Sequence, residues 1–255
     1  KIARCAVSDP LQTTPSWEIH DVAEGYEGVD ICEVQGRPAV VFGAPSEIEE
    51  GMSAEFYAIN TEPDGSGTWE SVEVVQGDAD FAYKSLGVFD GIPGVVYSCD
   101  TTDSSRLYFA YASSPDGIGS WNQNLIIEYP LVTSLFENLN GQHSLTKIGE
   151  CPALATKVIY GVLYSPPRLD CELKFFLASS PDGSGEWSES TVYSRLICGE
   201  GTRTPSLTII NGKPAMAFAE PTFDDVVYGK TLWYFTCDTA DGLGEWQRTS
   251  LVDSF

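Results

Sequence analysis

The pattern of apolar and polar positions changes regularly along the chain. Segments that alternate apolar with polar residues, such as residues 69–75, are separated by turns from almost continuous apolar segments such as residues 39–42. A period of two predicts a strand with one face in solvent, whereas a short continuous apolar run predicts a strand buried on both faces. The chain is therefore predicted to be all-β, with buried inner strands and half-exposed outer strands.

One phrase, Asp-Gly-x-Gly-x-Trp, occurs four times, each time between two predicted outer strands, and a shortened fifth copy ends at Trp17. Its position predicts the turn of a β-hairpin. We interpret its Asp and Trp as structural, because a carboxylate before Gly hydrogen-bonds its own turn and a Trp that recurs in every repeat fills the space between repeats. These residues are Asp64, Trp69, Asp116, Trp121, Asp182, Trp187, Asp241 and Trp246.

A second phrase, Gly-x-Pro followed by an apolar run, begins at residues 36, 91 and 212, and a third copy without Gly or Pro is assigned to residues 158–164. A shorter strand precedes each copy, so each repeat is predicted to have four strands. The strands change from apolar at the inner edge to alternating at the outer edge. That gradient is expected of a sheet that runs from a buried axis out to solvent, which is a blade of a β-propeller.

Five outer strand pairs can be counted but only four inner pairs. The sequence therefore predicts a five-bladed β-propeller over residues 1–255, in which the N-terminal blade, residues 1–28, has outer strands only. Complete blades are assigned to residues 29–83, 84–130, 150–204 and 205–255, with an insertion at 131–149. Exposed strand edges at the incomplete blade predict self-assembly or cover by another segment. The alternative is a self-contained monomer.

Composition restricts the class of partner. The chain has 14 Lys and Arg against 37 Asp and Glu, a net charge of −23, which argues against binding to nucleic acid. No apolar run approaches the roughly 18 residues of a membrane-spanning helix, so membrane insertion is not expected. The seven cysteines contain no Cys-x-x-Cys pair. We therefore predict neither a metal nor a cofactor.

The turn phrase resembles the Asp-box hairpin of sialidase-like propellers, although its glycines are placed differently and Glu62 replaces the first hydroxyl residue of one copy. The whole repeat is more similar to that of many large secreted bacterial proteins, and this similarity covers nearly the entire chain. The resemblance implies a β-propeller with an extracellular or cell-surface location. It implies no particular activity, because one fold serves many functions.

A ligand site needs residues that differ between repeats, and these are sought where each innermost strand begins. When the repeats are aligned on Pro152 and Pro205, four residues become equivalent: Glu27, Ala82, Glu150 and Arg203. Asp78, Asp80 and Glu200 lie on the same approaches. The candidate binding residues are therefore Glu27, Glu150, Arg203, Asp78 and Asp80, which can bind a hydroxyl-rich or cationic ligand. The alternative is a solvated acidic rim.

The leading interpretation is a non-enzymatic extracellular module that binds a glycan, a surface or a protein partner. The alternative rests on Glu150-Cys151-Pro152, which resembles the segment carrying the general acid of invertase-like five-bladed glycosidases and implies a glycoside hydrolase with Glu150 in that role. The Asn-Asp-Pro and Arg-Asp-Pro segments of those enzymes are missing, so a second carboxylate opposite Glu150 is not identified. His20 is assigned to an outer strand and His143 to the insertion, so no histidine chemistry is predicted.

Overall fold

The computed structural model describes residues 2–5, 17–23, 26–47, 53–77, 80–101, 103–130, 143–163, 168–198, 205–224 and 227–252. All regular secondary structure in this part of the chain is β-strand. No helix that could cross a membrane is found among these residues. The predicted all-β class is confirmed.

The strands form one two-stranded sheet and four antiparallel four-stranded sheets, which we call blades I to IV. The N-terminal pair consists of β1 (Ile2–Cys5) and β2 (Trp17–His20). Blade I contains β3 (Tyr26–Val34), β4 (Arg37–Pro45), β5 (Ser53–Asn60) and β6 (Trp69–Gly77). Blade II contains β7 (Asp80–Phe89), β8 (Ile92–Asp100), β9 (Ser104–Ala112) and β10 (Trp121–Pro130). Blade III contains β11 (Ser144–Ile148), β12 (Cys151–Leu163), β13 (Arg168–Ala178) and β14 (Trp187–Cys198). Blade IV contains β15 (Ser206–Ile210), β16 (Lys213–Asp224), β17 (Val227–Cys237) and β18 (Trp246–Val252).

In each blade the strands follow one another in chain order, and the first strand lies innermost. This follows because β3 packs against β7, β7 against β11, and β11 against β15. The turn between the first two strands has two residues, and in blades I, II and IV both have positive φ, as at Gln35 and Gly36. Such turns match the right-handed twist of the strands that they join.

Blade III begins earlier than predicted. Residues 144–148 of the expected insertion form β11, and Gly149 and Glu150 form the turn that leads into β12. Pro152 is therefore the counterpart of Pro38 and Pro93, and residues 158–163 are the far half of the same strand. The assignment of the third Gly-x-Pro copy to residues 158–164 is wrong, because one long apolar strand contains both segments.

Neighbouring blades interlock through the recurring turn. A ring on the third strand of one blade packs against the Trp of the next blade's turn, with centroids 5.3, 5.7 and 5.5 Å apart. The pairs are Tyr57 with Trp121, Phe109 with Trp187, and Phe175 with Trp246. The ring also lies under the turn glycine: a Cβ on Gly117 would stand 2.4 Å from the Tyr57 ring. The glycine is needed for this close approach as well as for its positive φ.

The aspartate of the turn holds the turn's own shape. Asp116 Oδ1 accepts a hydrogen bond from the Ser114 hydroxyl at 2.6 Å and from the Ile118 N–H at 3.1 Å. The hydroxyl bond in particular lowers the pKa of Asp116, and the pKa values of Asp182 and Asp241 are lowered in the same way. These three carboxylates therefore stabilise their own turns through hydrogen bonds.

Candidate functional site

The innermost strands surround a cavity of about 510 Å³. It lies at the start of β11 and β15 and within β3 and β7, on the side from which these strands begin. Its lining residues are Val29, Asp30, Lys84, Ser85, Leu86, His143, Ser144, Leu145, Pro205 and Ser206. The cavity is therefore the mouth of the channel that the blades surround. It lies within the size range of small-ligand sites.

The hairpin turns allow the four strands to be compared residue by residue. The residues five positions before each turn are Asp30, Ser85, Ser144 and Ser206, and all four line the cavity. We call this position the cavity level. Each of these residues is followed by an aliphatic residue: Ile31, Leu86, Leu145 and Leu207.

A hydrogen-bond ladder joins the blades at the cavity level. In each step, the side-chain oxygen of one blade accepts the backbone N–H of the aliphatic residue of the next blade. The three steps are Leu86 N–H to Asp30 Oδ2 at 2.8 Å, Leu145 N–H to Ser85 Oγ at 3.3 Å, and Leu207 N–H to Ser144 Oγ at 2.9 Å. The ladder fixes the register of the innermost strands, since a slip by one residue would break every step.

Asp30 is the charged member of the ladder. Its Oδ2 also accepts the Ser85 hydroxyl at 2.9 Å, and its Oδ1 accepts the N–H of Ile31 at 2.9 Å. With the N–H of Leu86, three donors orient the carboxylate. A carboxylate held in this way has the fixed geometry that a catalytic base or nucleophile needs.

A buried ion pair lies behind Asp30. Lys84 Nζ stands 2.7 Å from Glu55 Oε2, and both side chains are fully buried. Lys84 also contributes to the cavity wall. Breaking a buried pair leaves an uncompensated charge, so the two residues stabilise the structure only together.

His143 contributes a neutral imidazole to the cavity. The side chain is 5% exposed, and Nδ1 lies 2.9 Å from Thr156 Oγ1. Burial lowers the pKa of His143 to about 3, so the ring is uncharged at neutral pH. Nε2 is buried and has no hydrogen-bond partner among the described residues. A buried nitrogen of this kind is available to a polar ligand group.

The binding residues that were predicted from the sequence lie at opposite ends of the innermost strands. Glu27 lies in β3, three residues before Asp30, and Asp80 begins β7, so both backbones approach the cavity. Asp78, Glu200 and Arg203 lie outside the described residues. The side-chain positions of Glu27 and Asp80 are likewise not described.

Glu150 lies at the opposite end. It occupies the turn after β11, where its Oε2 is 3.5 Å from Lys147 Nζ and accepts the Asp90 N–H at 3.3 Å. It follows Ser144 by six residues, which places it roughly 20 Å along the strand direction from the cavity level. The predicted equivalence of Glu150 with Glu27 and Arg203 is therefore wrong. Counted from the turns, the third-blade counterpart is residue 141, which lies outside the described residues.

Three site residues were missed by the sequence reasoning: Asp30, Lys84 and His143. All three stand at the cavity level or one residue before it, where the repeats differ. Val29, Lys84, His143 and Pro205 occupy the latter position. The signal was present in the sequence, but it becomes visible only once the turn after β11 is placed correctly. His143 directly precedes the innermost strand β11, in contrast to its predicted place in an insertion.

No group of three or more His, Cys, Asp or Glu side chains that could hold a metal ion occurs in the described part of the chain. The polar groups of the cavity are suited instead to an uncharged, hydroxyl-bearing ligand, which offers both donors and acceptors to Asp30 and His143.

No protein-family model matches the chain, and no curated protein matches it in sequence. Solved structures do match. An α-L-arabinanase of Penicillium chrysogenum complexed with arabinobiose is 12% identical with a TM-score of 0.56, over 89% of this chain and 66% of the other. An α-L-arabinofuranosidase of Fusarium graminearum with arabinobiose is 11% identical with a TM-score of 0.52, over 88% and 66%. A sialidase of Trypanosoma rangeli is 9% identical with a TM-score of 0.49, over 97% and 40%.

The two fungal enzymes are glycosidases with the β-propeller fold, and this chain spans about two thirds of their length. The prediction of a non-enzymatic module is contradicted, because the matching structures are glycoside hydrolases. At identities this low, the likeness establishes the fold alone. The four blades of this chain thus belong to a β-propeller.

Proposed function

We propose that the chain is a glycoside hydrolase whose active site is the cavity at the channel mouth. The observation that carries the proposal is the Asp30 carboxylate, which three donors orient in that cavity beside the neutral imidazole of His143. Matching propellers bind arabinobiose. A short glycan is therefore the proposed ligand class, with arabinose-containing glycans tested first.

The chemistry requires two carboxylates on either side of the scissile bond, about 5 Å apart in retaining enzymes and up to about 9.5 Å in inverting ones. We assign Asp30 as the base or nucleophile, because its oxygens are held in place. Glu27 is the candidate for the general acid, since it lies on β3 only three residues before Asp30. Asp80 is five residues before Ser85, about 16 Å along β7 from the cavity level, and is too far for this role. His143 Nε2 positions a sugar hydroxyl.

Five blades are part of the proposal. In every complete blade, the Trp after the turn pairs with the last residue of the third strand, as Trp69 does with Asn60 and Trp121 with Ala112. The pair of β1 and β2 has the same register, with Trp17 opposite Cys5. This agreement supports the view that β1 and β2 are the outer strands of a fifth blade.

An extracellular or cell-surface location is proposed on two grounds. The first is the resemblance of the repeat to those of secreted bacterial proteins. The second is that Cys171 is disulfide-bonded, and disulfides persist mainly in oxidising compartments.

The proposal is tested with aryl α-L-arabinofuranosides and arabino-oligosaccharides as substrates. We expect Asp30→Asn to lower kcat by roughly 10²-fold to 10⁴-fold, because the amide cannot accept a proton or attack the anomeric carbon. Glu27→Gln is compared with it, and a general acid at Glu27 predicts a loss of kcat that is least severe for substrates with good leaving groups.

Glu150→Gln is the matched control, since Glu150 is an exposed carboxylate at the opposite end of the strands and should leave kcat unchanged. Thermal melting of each variant distinguishes lost chemistry from lost folding, because Asp30 also joins two blades. A wild-type protein that is inert toward all these glycosides, or an active Asp30→Asn variant, would overturn the proposal.

A further inference from the structure

One face of blade I is open where the equivalent faces of other blades are covered. The residue after the cavity level is 5% exposed at Leu86 and 7% exposed at Leu207, because the preceding blade covers it. At Ile31 the same position is 54% exposed, and Val29 on the same face of β3 is 71% exposed. Nothing in the described structure therefore covers the inner edge of blade I on this side.

The opposite face of blade IV is open as well. At the cavity level, Ser85 is buried between blades but Ser206 is exposed. Ile210, on the same face of β15, is 42% exposed. Farther out, Tyr234 is the counterpart of the fully buried Tyr57, and it lines a second cavity of about 440 Å³. Among the described residues, no blade follows blade IV as blades II, III and IV follow blades I, II and III.

The ladder ends at both open faces. Its last step joins Ser144 to Leu207, so the next acceptor is the exposed hydroxyl of Ser206. At the other end, the N–H of Ile31 donates to its own residue's neighbour, Asp30 Oδ1, at 2.9 Å, whereas its counterparts donate to a preceding blade. The two ends thus offer an acceptor on blade IV and a backbone donor on blade I.

We propose that the space between blades IV and I binds a β-hairpin from a polypeptide outside these 255 residues. The occupant is a partner with the chemistry of this chain's own inner hairpins: a hydroxyl or carboxylate residue followed by an aliphatic residue, a two-residue turn, and a second apolar strand. The aliphatic N–H donates to Ser206 Oγ, and the aliphatic side chain covers blade IV. The hydroxyl or carboxylate side chain of the hairpin accepts the Ile31 N–H in place of Asp30 Oδ1, while Asp30 Oδ2 keeps its bonds from Ser85 and Leu86.

Three established blade interfaces in this molecule support that occupant. Each joins the same side-chain acceptor to the same backbone donor, and each buries the aliphatic residue. The bound hairpin would add strands to a predefined edge, a known mode of peptide recognition. It would also complete the wall of the cavity, because Val29 and Ser206 line both the cavity and the open space.

The probe is a labelled synthetic peptide of residues 205–220, which has the sequence of the inner hairpin of blade IV. Fluorescence anisotropy with the full chain should show saturable binding, and a scrambled peptide should show none. Ile31→Asp should weaken binding by about tenfold or more, because it places a charge against the apolar hairpin. Ser206→Ala should weaken it by about threefold to tenfold through the lost hydrogen bond.

Leu251→Asp is the matched control. Leu251 is 53% exposed, close to the value for Ile31, but it lies on the outer strand β18. Binding should be unchanged in this variant. No binding at peptide concentrations up to about 1 mM, or equal loss in Ile31→Asp and Leu251→Asp, would overturn the proposal.

Sedimentation analysis identifies a different occupant. If the wild-type chain dimerises and Ile31→Asp abolishes the dimer, a second copy fills the space and the proposed hairpin partner is wrong. These measurements need no hydrolysis, so their result is independent of the proposed enzymatic function.

Discussion

At the scale of single residues, the cavity owes its properties to burial more than to formal charge. His143 is kept neutral because burial removes most of the solvation of its charged form, and its pKa falls to about 3. The pKa of an exposed histidine is about 6.5. Because the folded state takes up a proton only at much lower pH than the unfolded state, acid favours unfolding.

We therefore expect the free energy of unfolding to fall by about 2 kcal/mol between pH 7 and pH 5 through His143 alone. The stability is present above the unfolded pKa and is lost progressively as the pH falls toward the folded value. Urea denaturation at both pH values measures it. His143→Gln should remove this part of the pH dependence, whereas His20→Gln should keep it. An unchanged dependence in His143→Gln would contradict the assignment.

At the scale of elements, the recurring turn acts as the connector between blades. The turn glycine has no side chain, so an aromatic ring of the preceding blade can lie directly beneath it. The Trp of the same turn packs on that ring and donates its N–H to the carbonyl of the turn glycine, as Trp121 does to Gly117 at 3.1 Å. One hairpin thus supplies a backbone contact and a ring contact to its neighbour.

Gly117→Ala and Gly36→Ala distinguish the two reasons for a glycine in a turn, which are its positive φ and its lack of a Cβ. Both residues have positive φ, at 76° and 75°, so both variants carry the left-handed backbone penalty of about 1–2 kcal/mol. A Cβ at Gly36 meets nothing within 4 Å, whereas one at Gly117 overlaps Tyr57. Gly117→Ala should therefore cost about 1–3 kcal/mol more in thermal or urea unfolding. Equal costs would mean that the blades do not interlock there.

A strand could be predicted from the sequence where a recurring residue marks its position. The Trp after the turn and the Pro of the second strand identify most strands, and the register of Trp69 and Trp121 follows from them. In blade III the second phrase is altered, since Gly149-Glu150-Cys151-Pro152 has one more residue between Gly and Pro, and the apolar run of β12 continues for 13 residues. The cavity residues could not be assigned from the sequence for a different reason. Asp30, Lys84 and His143 come together only through packing between strands that are far apart in sequence.

At the scale of the whole molecule, repulsion between acidic groups opposes the compact state. With a net charge of −23, the folded chain concentrates negative charge, and exposed ion pairs such as Arg106 with Glu128 offset little of it. We expect the Tm to rise by a few degrees when ionic strength increases from about 0.01 M to 0.15 M, because the screening length shortens from about 30 Å to 8 Å. Sodium chloride and choline chloride should act alike. A Tm that falls or stays constant would contradict this balance.

The ladder between the blades also gives the molecule a polarity. Each step joins an acceptor on one blade to a donor on the next, so the contact is head-to-tail and its two surfaces differ. A row of units joined in this way has two different ends: an acceptor end, which presents a side-chain oxygen, and a donor end, which presents a backbone N–H. Repeating one rotation either closes such a row into a ring or extends it without limit. In this protein, Ser206 is at the acceptor end and Ile31 is at the donor end. The hydrogen bond that orders the four blades therefore also determines the direction in which a further unit can be added.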